Sequence, residues 1–284
     1  MCCWANVDKE AAEWYEDEWV PRMRNPNLVH SIHCEITASG MENEPVGKLD
    51  SPWPYMTIHA VHNVDQANKD MHNKLFNPPN DVLGGALQEP RFDIRTYREL
   101  RRWQVEDWEG EGGSGKMISP DVGGAGLMPP EDIEHIVSVT AMEWDIPADR
   151  EEEVMKYYMD VVAPTIANAP DVLRFRVFAV DKATTIQGTS QTEKDSKQLH
   201  KFFTVAELES EDWPWEVIVE LADDPKWKEY FESNTVVVCF ICKCCDILAT
   251  TDMNIEMATK QLLSNANKSQ GQQKISTTRV KLWD

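Results

Sequence analysis

The chain of 284 residues carries 28 Lys and Arg against 49 Asp and Glu, a formal charge of −21, and 42% of its residues are hydrophobic. That balance excludes a nucleic-acid groove and an anionic membrane surface, both of which need clustered cations. The length is ample for a sizeable core or two ordinary domains.

No apolar run reaches the roughly 18 residues of a membrane span. The opening MCCWANVDKEAAEW has neither the basic nor the apolar region of a secretory leader. Seven cysteines without a disulfide spacing suit a reducing cytoplasm. Eleven tryptophans are the compositional excess, and they suit an aromatic-lined cavity as well as an ordinary core.

In chain order, MCCWANV predicts a short first strand and EAAEWYEDEWVPRM a helix with Tyr15, Trp19 and Met23 on one stripe. NLVHSIHCEI and PYMTIHAV follow as strands, DQANKDMHNKLF as a helix and RFDIRTYREL as a strand. The segment DWEGEGGSGKMISPDVGGAGLMPPED has the composition of a linker. Residues 137–248 then repeat the order: VSVTAMEWDI, the helical PADREEEVMKYYMDVVAPTI, DVLRFRVFAV, KFFTVAEL, a helix around DWPWEVIVELADDPKWKEYFES, and TVVVCFICKCCDIL. In the first of these helices Val154, Tyr158, Val161, Val162 and Thr165 form the expected buried stripe. After about residue 250 the chain offers one weak helix and a polar stretch that predicts a surface tail.

The two halves match letter by letter at several places. WYEDEWVP and YYMDVVAP share an aromatic start, an Asp at the fourth position and a closing Pro. Thr57 in PYMTIHAV matches Thr204 in KFFTVAEL. The expected organisation is a first repeat at 1–105, a linker at 106–134, a second repeat at 135–250 and a tail at 251–284. Each repeat has the order β-α-β-β-α-β, which leaves one sheet face bare. Two such sheets in one chain can bury their bare faces against each other, as an α+β fold with a cavity between them.

These motifs resemble the dimeric α+β barrel superfamily, and within it EthD-like proteins, whose helix ends in a motif like W-Y-x-x-E-H-I-P. Here Trp14-Tyr15 leads to Val20-Pro21 in one half and Tyr157-Tyr158 to Ala163-Pro164 in the other. The His before Ile-Pro is Trp19 in the first half and Val162 in the second, so no role of that His carries over. The resemblance implies two ferredoxin-like repeats forming an intramolecular, pseudo-dimeric barrel. It also implies a tailoring enzyme of natural-product biosynthesis that cyclises, isomerises or eliminates a small hydrophobic organic substrate without a cofactor. The alternatives are a cofactor-free or haem monooxygenase or dehydratase, and a non-catalytic small-molecule-binding protein. The expected partner is that substrate alone, with no nucleic acid and no membrane, and the chain is expected to be a monomer or a homodimer.

Strand alternation divides the candidate site residues. With Ile32, Cys34, Met56, Ile58, Phe92 and Ile94 packed under the helices, Ser31, His33, Glu35, Tyr55, Thr57, His59, Asp93, Arg95 and Tyr97 face the cavity. Of these, His59, Tyr55 and His33 are the catalytic candidates, being proton-transfer groups, and the others are substrate-binding. Phe202 and Thr204 supply the matching wall of the second half. Alternation leaves the face of Arg174 and Arg176 open, and the family's arginine-bearing strand points them inward, toward a substrate carboxylate or carbonyl.

No metal site is expected. Cys239 and Cys242, like His59 and His62 or His30 and His33, stand three apart in predicted strands and so point to opposite faces. Gly110–Lys116 has the spacing of a phosphate loop but no strand before it and Met117 after it, so it predicts a plain loop.

Overall fold

The computed structural model describes residues 1–7, 15–20, 26–37, 53–72, 91–104, 135–187, 190–232 and 238–252. Among the described residues nine strands form one antiparallel sheet: β1 (Cys2–Asn6), β2 (Leu28–Thr37), β3 (Tyr55–Val61), β4 (Arg91–Gln104), β5 (Ser138–Asp145), β6 (Val172–Gln187), β7 (Ser190–Lys194), β8 (Phe202–Leu208) and β9 (Val238–Asp252). Their order is β4-β1-β3-β2-β9-β5-β8-β6-β7, and β4 pairs β6 as well, so the sheet curls round and meets itself. The fold is α+β and barrel-like. The two long strands make the closing seam, which runs from Arg91 opposite Gln187 to Gln104 opposite Arg174.

Helices cover the outside. A π-helical turn (Tyr15–Trp19) and α1 (Val64–His72) belong to the first half. In the second, α2 (Glu151–Tyr157) runs through a π-helical turn (Tyr158–Val162) into α3 (Ala163–Ala167), followed by α4 (Trp215–Ala222). The π turn changes the predicted stripe. Each step becomes four residues, so Val154, Tyr158, Val162 and Ile166 are buried, whereas Val161 is exposed and Thr165 only half-buried. β7 is a short hairpin partner of β6 that alternation in the sequence does not foretell, because its five residues SQTEK are polar throughout. β9 reaches Asp252. The linker, the phosphate-loop-like segment and the tail from 253 onward lie outside the described residues.

The core has two layers. The outer one joins Trp144, Phe175, Val177, Phe202, Ala206 and Leu208 to Val154, Tyr157, Tyr158, Val162 and Leu221 of the helices. The inner one lies between the strands of the two halves: Cys2, Trp4, Ile32, Cys34, Met56, Ile58 and Tyr97 pack against Val139, Ala141, Phe203 and Val205. Both faces of the sheet are therefore buried, one under helices and one inside the barrel.

Candidate functional site

The inner layer corrects the expected faces of β2, β3 and β8. Ile32, Cys34, Met56 and Ile58 point into the barrel. Their alternates Ser31, His33, Glu35, Tyr55, Thr57 and His59 form the opposite row, paired Ser31–His59, His33–Thr57 and Glu35–Tyr55 across the two strands. That row lies toward the first helical turn. The Tyr15 hydroxyl is 2.9 Å from Thr57 Oγ1, and its ring stands 5.0 Å from His33, 6.2 Å from Tyr55 and 5.8 Å from Phe92. His33 Nδ1 shares Thr57 Oγ1 at 2.9 Å, and Ser31 Oγ lies 2.7 Å from His59 Nδ1. Glu35 is solvent-exposed. Phe202 and Thr204 likewise lie under helices: Thr204 Oγ1 meets the Tyr158 hydroxyl at 3.2 Å and accepts from Trp144 Nε1 at 3.0 Å. The physical reason is that a closed barrel buries both faces of its sheet. An apolar row therefore fits the interior as well as it fits the helices.

Five sequence-derived candidates remain to be placed, and all five line the interior. Asp93, Arg95 and Tyr97 on β4 stand beside Trp4 and Cys2 of β1. Arg95 lies 4.8 Å from the Trp4 ring and bonds Asp93 at 3.2 Å as well as Glu143. Lys194 reaches Asp93 at 2.5 Å, and the Tyr97 hydroxyl donates to Glu143 at 3.2 Å. Burial works against charge on Arg95, but Tyr97, Glu143 and Asp93 overcome it and hold the guanidinium firmly protonated. Burial likewise raises the Asp93 carboxyl, and Arg95 and Lys194 more than reverse that, so its pKa falls. Two cations and two carboxylates balance here.

Arg174 and Arg176, also inward, form a second cluster with a different balance. β8 places Glu207 opposite Arg174 and Val205 opposite Arg176. Glu207, 0% exposed, accepts from Arg174 Nη2 at 2.7 Å, from Arg174 Nε, and from Arg176 Nη2 at 2.6 Å. Burial pushes the Glu207 carboxyl up, yet the two arginines outweigh it and bring it down to about 2. Burial and Arg176 lower Arg174 to about 10, which leaves it protonated at neutral pH. His30 stands in the field of this cluster. Burial above all, then Arg174, lowers its imidazole to about 3, so it is neutral. Both of its ring nitrogens are buried without a hydrogen-bond partner, as is Arg176 Nε.

These orphaned atoms belong to side chains that line one cavity of about 180 Å³ at an end of the barrel interior. Its walls are Cys2, Ile58, Tyr97, Phe178, Phe203 and Val205, and its charged end is His30, Arg174 and Arg176. His59 and Met1 line it too. Ala60, Val61 and Val64 are half-buried and Glu99 exposed, which puts the mouth between β3, α1 and β4. The sequence reading treated His30 only as a failed metal ligand and left Glu207 aside. Alternation puts His30 on the face of Ile32 and Cys34, the row expected under the helices, and that row points into the barrel. Glu207 is the one charge in FFTVAEL, and only the pairing of β8 with β6 sets it opposite Arg174. Among the described residues no group of three or more His, Cys, Asp or Glu is arranged to hold a metal ion.

No family profile and no curated protein matches this sequence. Among solved structures it is similar to an anthrone oxidase-like protein, at 10% identity and TM-score 0.50, over 88% of this chain and 91% of the other. It is also similar to a monooxygenase-like protein from Lactobacillus acidophilus NCFM, at 8% identity and TM-score 0.45, over 86% and 90% of the two chains. A monooxygenase-like protein from Fusobacterium nucleatum stands at 8% and 0.45, over 89% and 93%. At these identities the likeness is one of fold. The likeness to the anthrone oxidase-like protein agrees with the curled antiparallel sheet and outer helices. Among the described residues no helix is long and apolar enough to cross a membrane.

Proposed function

We propose that this chain is an EthD-like tandem duplicate that acts as a small-molecule tailoring enzyme. In this reading it moves a proton on a carbonyl-bearing hydrophobic substrate held in the interior cavity. The strand orders β4-β1-β3-β2 and β9-β5-β8-β6 support the duplication, since each is the ferredoxin-like order when the strands of its half are counted with the hairpin strand β7 set aside. The observation that carries the chemistry is the convergence of His30, with two unpartnered nitrogens, and Arg176, with an unpartnered Nε, on one apolar-walled cavity.

The roles follow from charge. The arginine cluster gives its end of the cavity a positive potential and draws the oxygen-bearing end of the substrate. Neutral His30 takes a proton from the carbon beside that group, and the electron pair left behind delocalises onto oxygen. Arg176 and Arg174 stabilise the negative charge as it builds, in a water-poor site where such stabilisation is large. As the oxygen gains charge, His30 loses the field that opposes its protonation, so it becomes a better base as the transfer proceeds. Return of the proton to a second carbon is isomerisation. Expulsion of a β-leaving group is elimination, and attack of the enolate carbon on a carbonyl within the substrate is cyclisation. Phe178, Phe203, Val205 and Ile58 give shape, which limits the conformations from which the reaction starts. The cavity lies below the roughly 300–1,000 Å³ of pockets for drug-sized ligands, so the substrate is smaller than a polycyclic intermediate.

Oxygenation is the second reading, on the strength of the names of structures that share the fold. An enolate formed by His30 is the species that either chemistry needs. The test is metabolite profiling of a strain lacking the gene, followed by incubation of the accumulated compound with the purified protein without added cofactor, in air and under nitrogen. Conversion to an isomer, elimination product or cyclised product under nitrogen supports proton transfer. Conversion only in air supports the second reading, and no conversion in either overturns both.

A further inference from the structure

The two buried charge clusters inside the barrel differ by one unit, and that difference identifies what the cavity takes. Around Arg95 the count is even, Arg95 and Lys194 against Asp93 and Glu143. At the cavity, Arg174 and Arg176 face the single carboxylate of Glu207. The remaining charged pair near the mouth, Arg102 and Glu99, is bonded at 2.5 Å and cancels. His30 and His59 are neutral, each lowered by burial to about 3, and burial also lowers the Met1 amine, which donates to the His59 carbonyl at 2.8 Å. Among the described side chains one positive charge is therefore left over, on residues with 2% and 6% exposure, and a buried charge without a counter-charge is costly. Arg176 Nε is buried without a partner and belongs to a residue that lines the cavity, whereas Arg174 Nε, Arg174 Nη2 and Arg176 Nη2 are spent on Glu207.

We infer that the cavity binds a monocarboxylate of about single-ring size, with its carboxylate completing the Arg174–Glu207–Arg176 cluster and its body against Phe178, Phe203 and Val205. A carboxylate matches the planar fork of a guanidinium and brings the one negative charge the cluster lacks. At about 30 Å³ per water of liquid, 180 Å³ equals some six waters, room for one ring and its carboxylate. This deepens the proposed function in that it takes the same cavity as the ligand site, but it does not depend on turnover.

The test is calorimetric titration and thermal melting of the full chain with benzoate and cyclohexanecarboxylate, each against its uncharged amide. The acids are expected to bind at least about tenfold more tightly than the amides, and Arg176→Met is expected to remove that preference while Lys156→Ala, on the surface, keeps it. Equal binding of acid and amide, no binding of either, or a preference that survives in a folded Arg176→Met variant overturns the inference. The wild-type comparison stands whether or not that variant folds. Acid binding together with no conversion in the incubation above would sink the proton-transfer reading and leave the carboxylate site intact.

Discussion

The Tyr15 hydroxyl lies 2.9 Å from Thr57 Oγ1, sealed between the first helical turn and β3. The same pair recurs 143 to 147 residues later, where the Tyr158 hydroxyl lies 3.2 Å from Thr204 Oγ1 between a helix and β8. Both tyrosines stand at the start of a π-helical turn, at Tyr15–Trp19 and Tyr158–Val162. A buried tyrosine needs a partner for its hydroxyl, so each half spends a strand threonine on it.

If these are equivalent devices, each should contribute alike. Tyr15→Phe with Thr57→Val, and Tyr158→Phe with Thr204→Val, form two double-mutant cycles. Each is expected to show a coupling energy of about 0.5–1.5 kcal/mol in chemical denaturation, the usual net worth of a buried hydrogen bond. A coupling in one half and none in the other would count against the duplication.

The threonine pairing also explains which parts of the fold were legible. The element order, the matched Thr57 and Thr204 and the aromatic helix starts are all periodic or positional, so a single sequence displays them. Which face of β2, β3 and β8 looked inward was not displayed. Ile32, Met56 and Val205 are as apolar as any helix-facing row, and a sheet buried on both sides gives alternation no direction. The needed clue lay on the helices: Tyr15 and Tyr158 are the residues to which a threonine must answer, and they fix the Thr57 and Thr204 rows outward. The charged cluster shows the same limit. Arg174 and Arg176 were visible as candidates, but Glu207 acquires meaning only when β8 and β6 are known to pair in register.

The arginine cluster makes opposite predictions for its members. Glu207→Gln leaves two buried guanidiniums without a counter-charge and should cost about 3–5 kcal/mol. Arg176→Met leaves one arginine on one glutamate, removes the surplus charge and fills similar volume, so stability should stay within about 1.5 kcal/mol of the wild type or rise. Urea denaturation of the two variants decides this. A stable Glu207→Gln protein, or an Arg176→Met protein as damaged as Glu207→Gln, would show that the cluster is not short of negative charge.

Acid should unfold the protein steeply. His30, His33 and His59 each have a folded pKa lowered by burial to about 3, well below the ordinary imidazole value of 6.5. Between those values the unfolded chain binds more protons than the folded one, so stability falls as pH falls below 6.5. Each histidine adds a slope of up to about 1.4 kcal/mol per pH unit. Glu207, lowered to about 2 from 4.5, adds loss of the same sign only below 4.5. Denaturation at pH 7, 6 and 5 should therefore show a marked drop over this window, and His33→Gln should make it shallower. A flat profile from pH 7 to 5 would mean that the three imidazoles are not buried as neutral bases.

The placement of the histidines separates chemistry from packing. His30 lines the cavity with two unpartnered nitrogens beside the arginine cluster, so His30→Gln removes the proposed base while keeping a polar side chain of similar reach. Tyr55 lies in the row beneath the helical turn, near the Tyr15 and His33 rings, and is absent from the cavity lining. With the substrate in hand, His30→Gln should lower kcat by at least about tenfold, at the low end for a positioned proton-transfer group. Its KM for a carboxylate should change little, because the arginines hold the anion. Tyr55→Phe should keep kcat within about twofold. His59 is the sharper comparison, since it borders the cavity while Ser31 holds its Nδ1 at 2.7 Å, which leaves Nε2 as its one free atom. His59→Gln should therefore lose less activity than His30→Gln. If the order were reversed, with His59→Gln inactive and His30→Gln near wild type, the base would be His59, and the cavity would be worked from the β3 side rather than from β2.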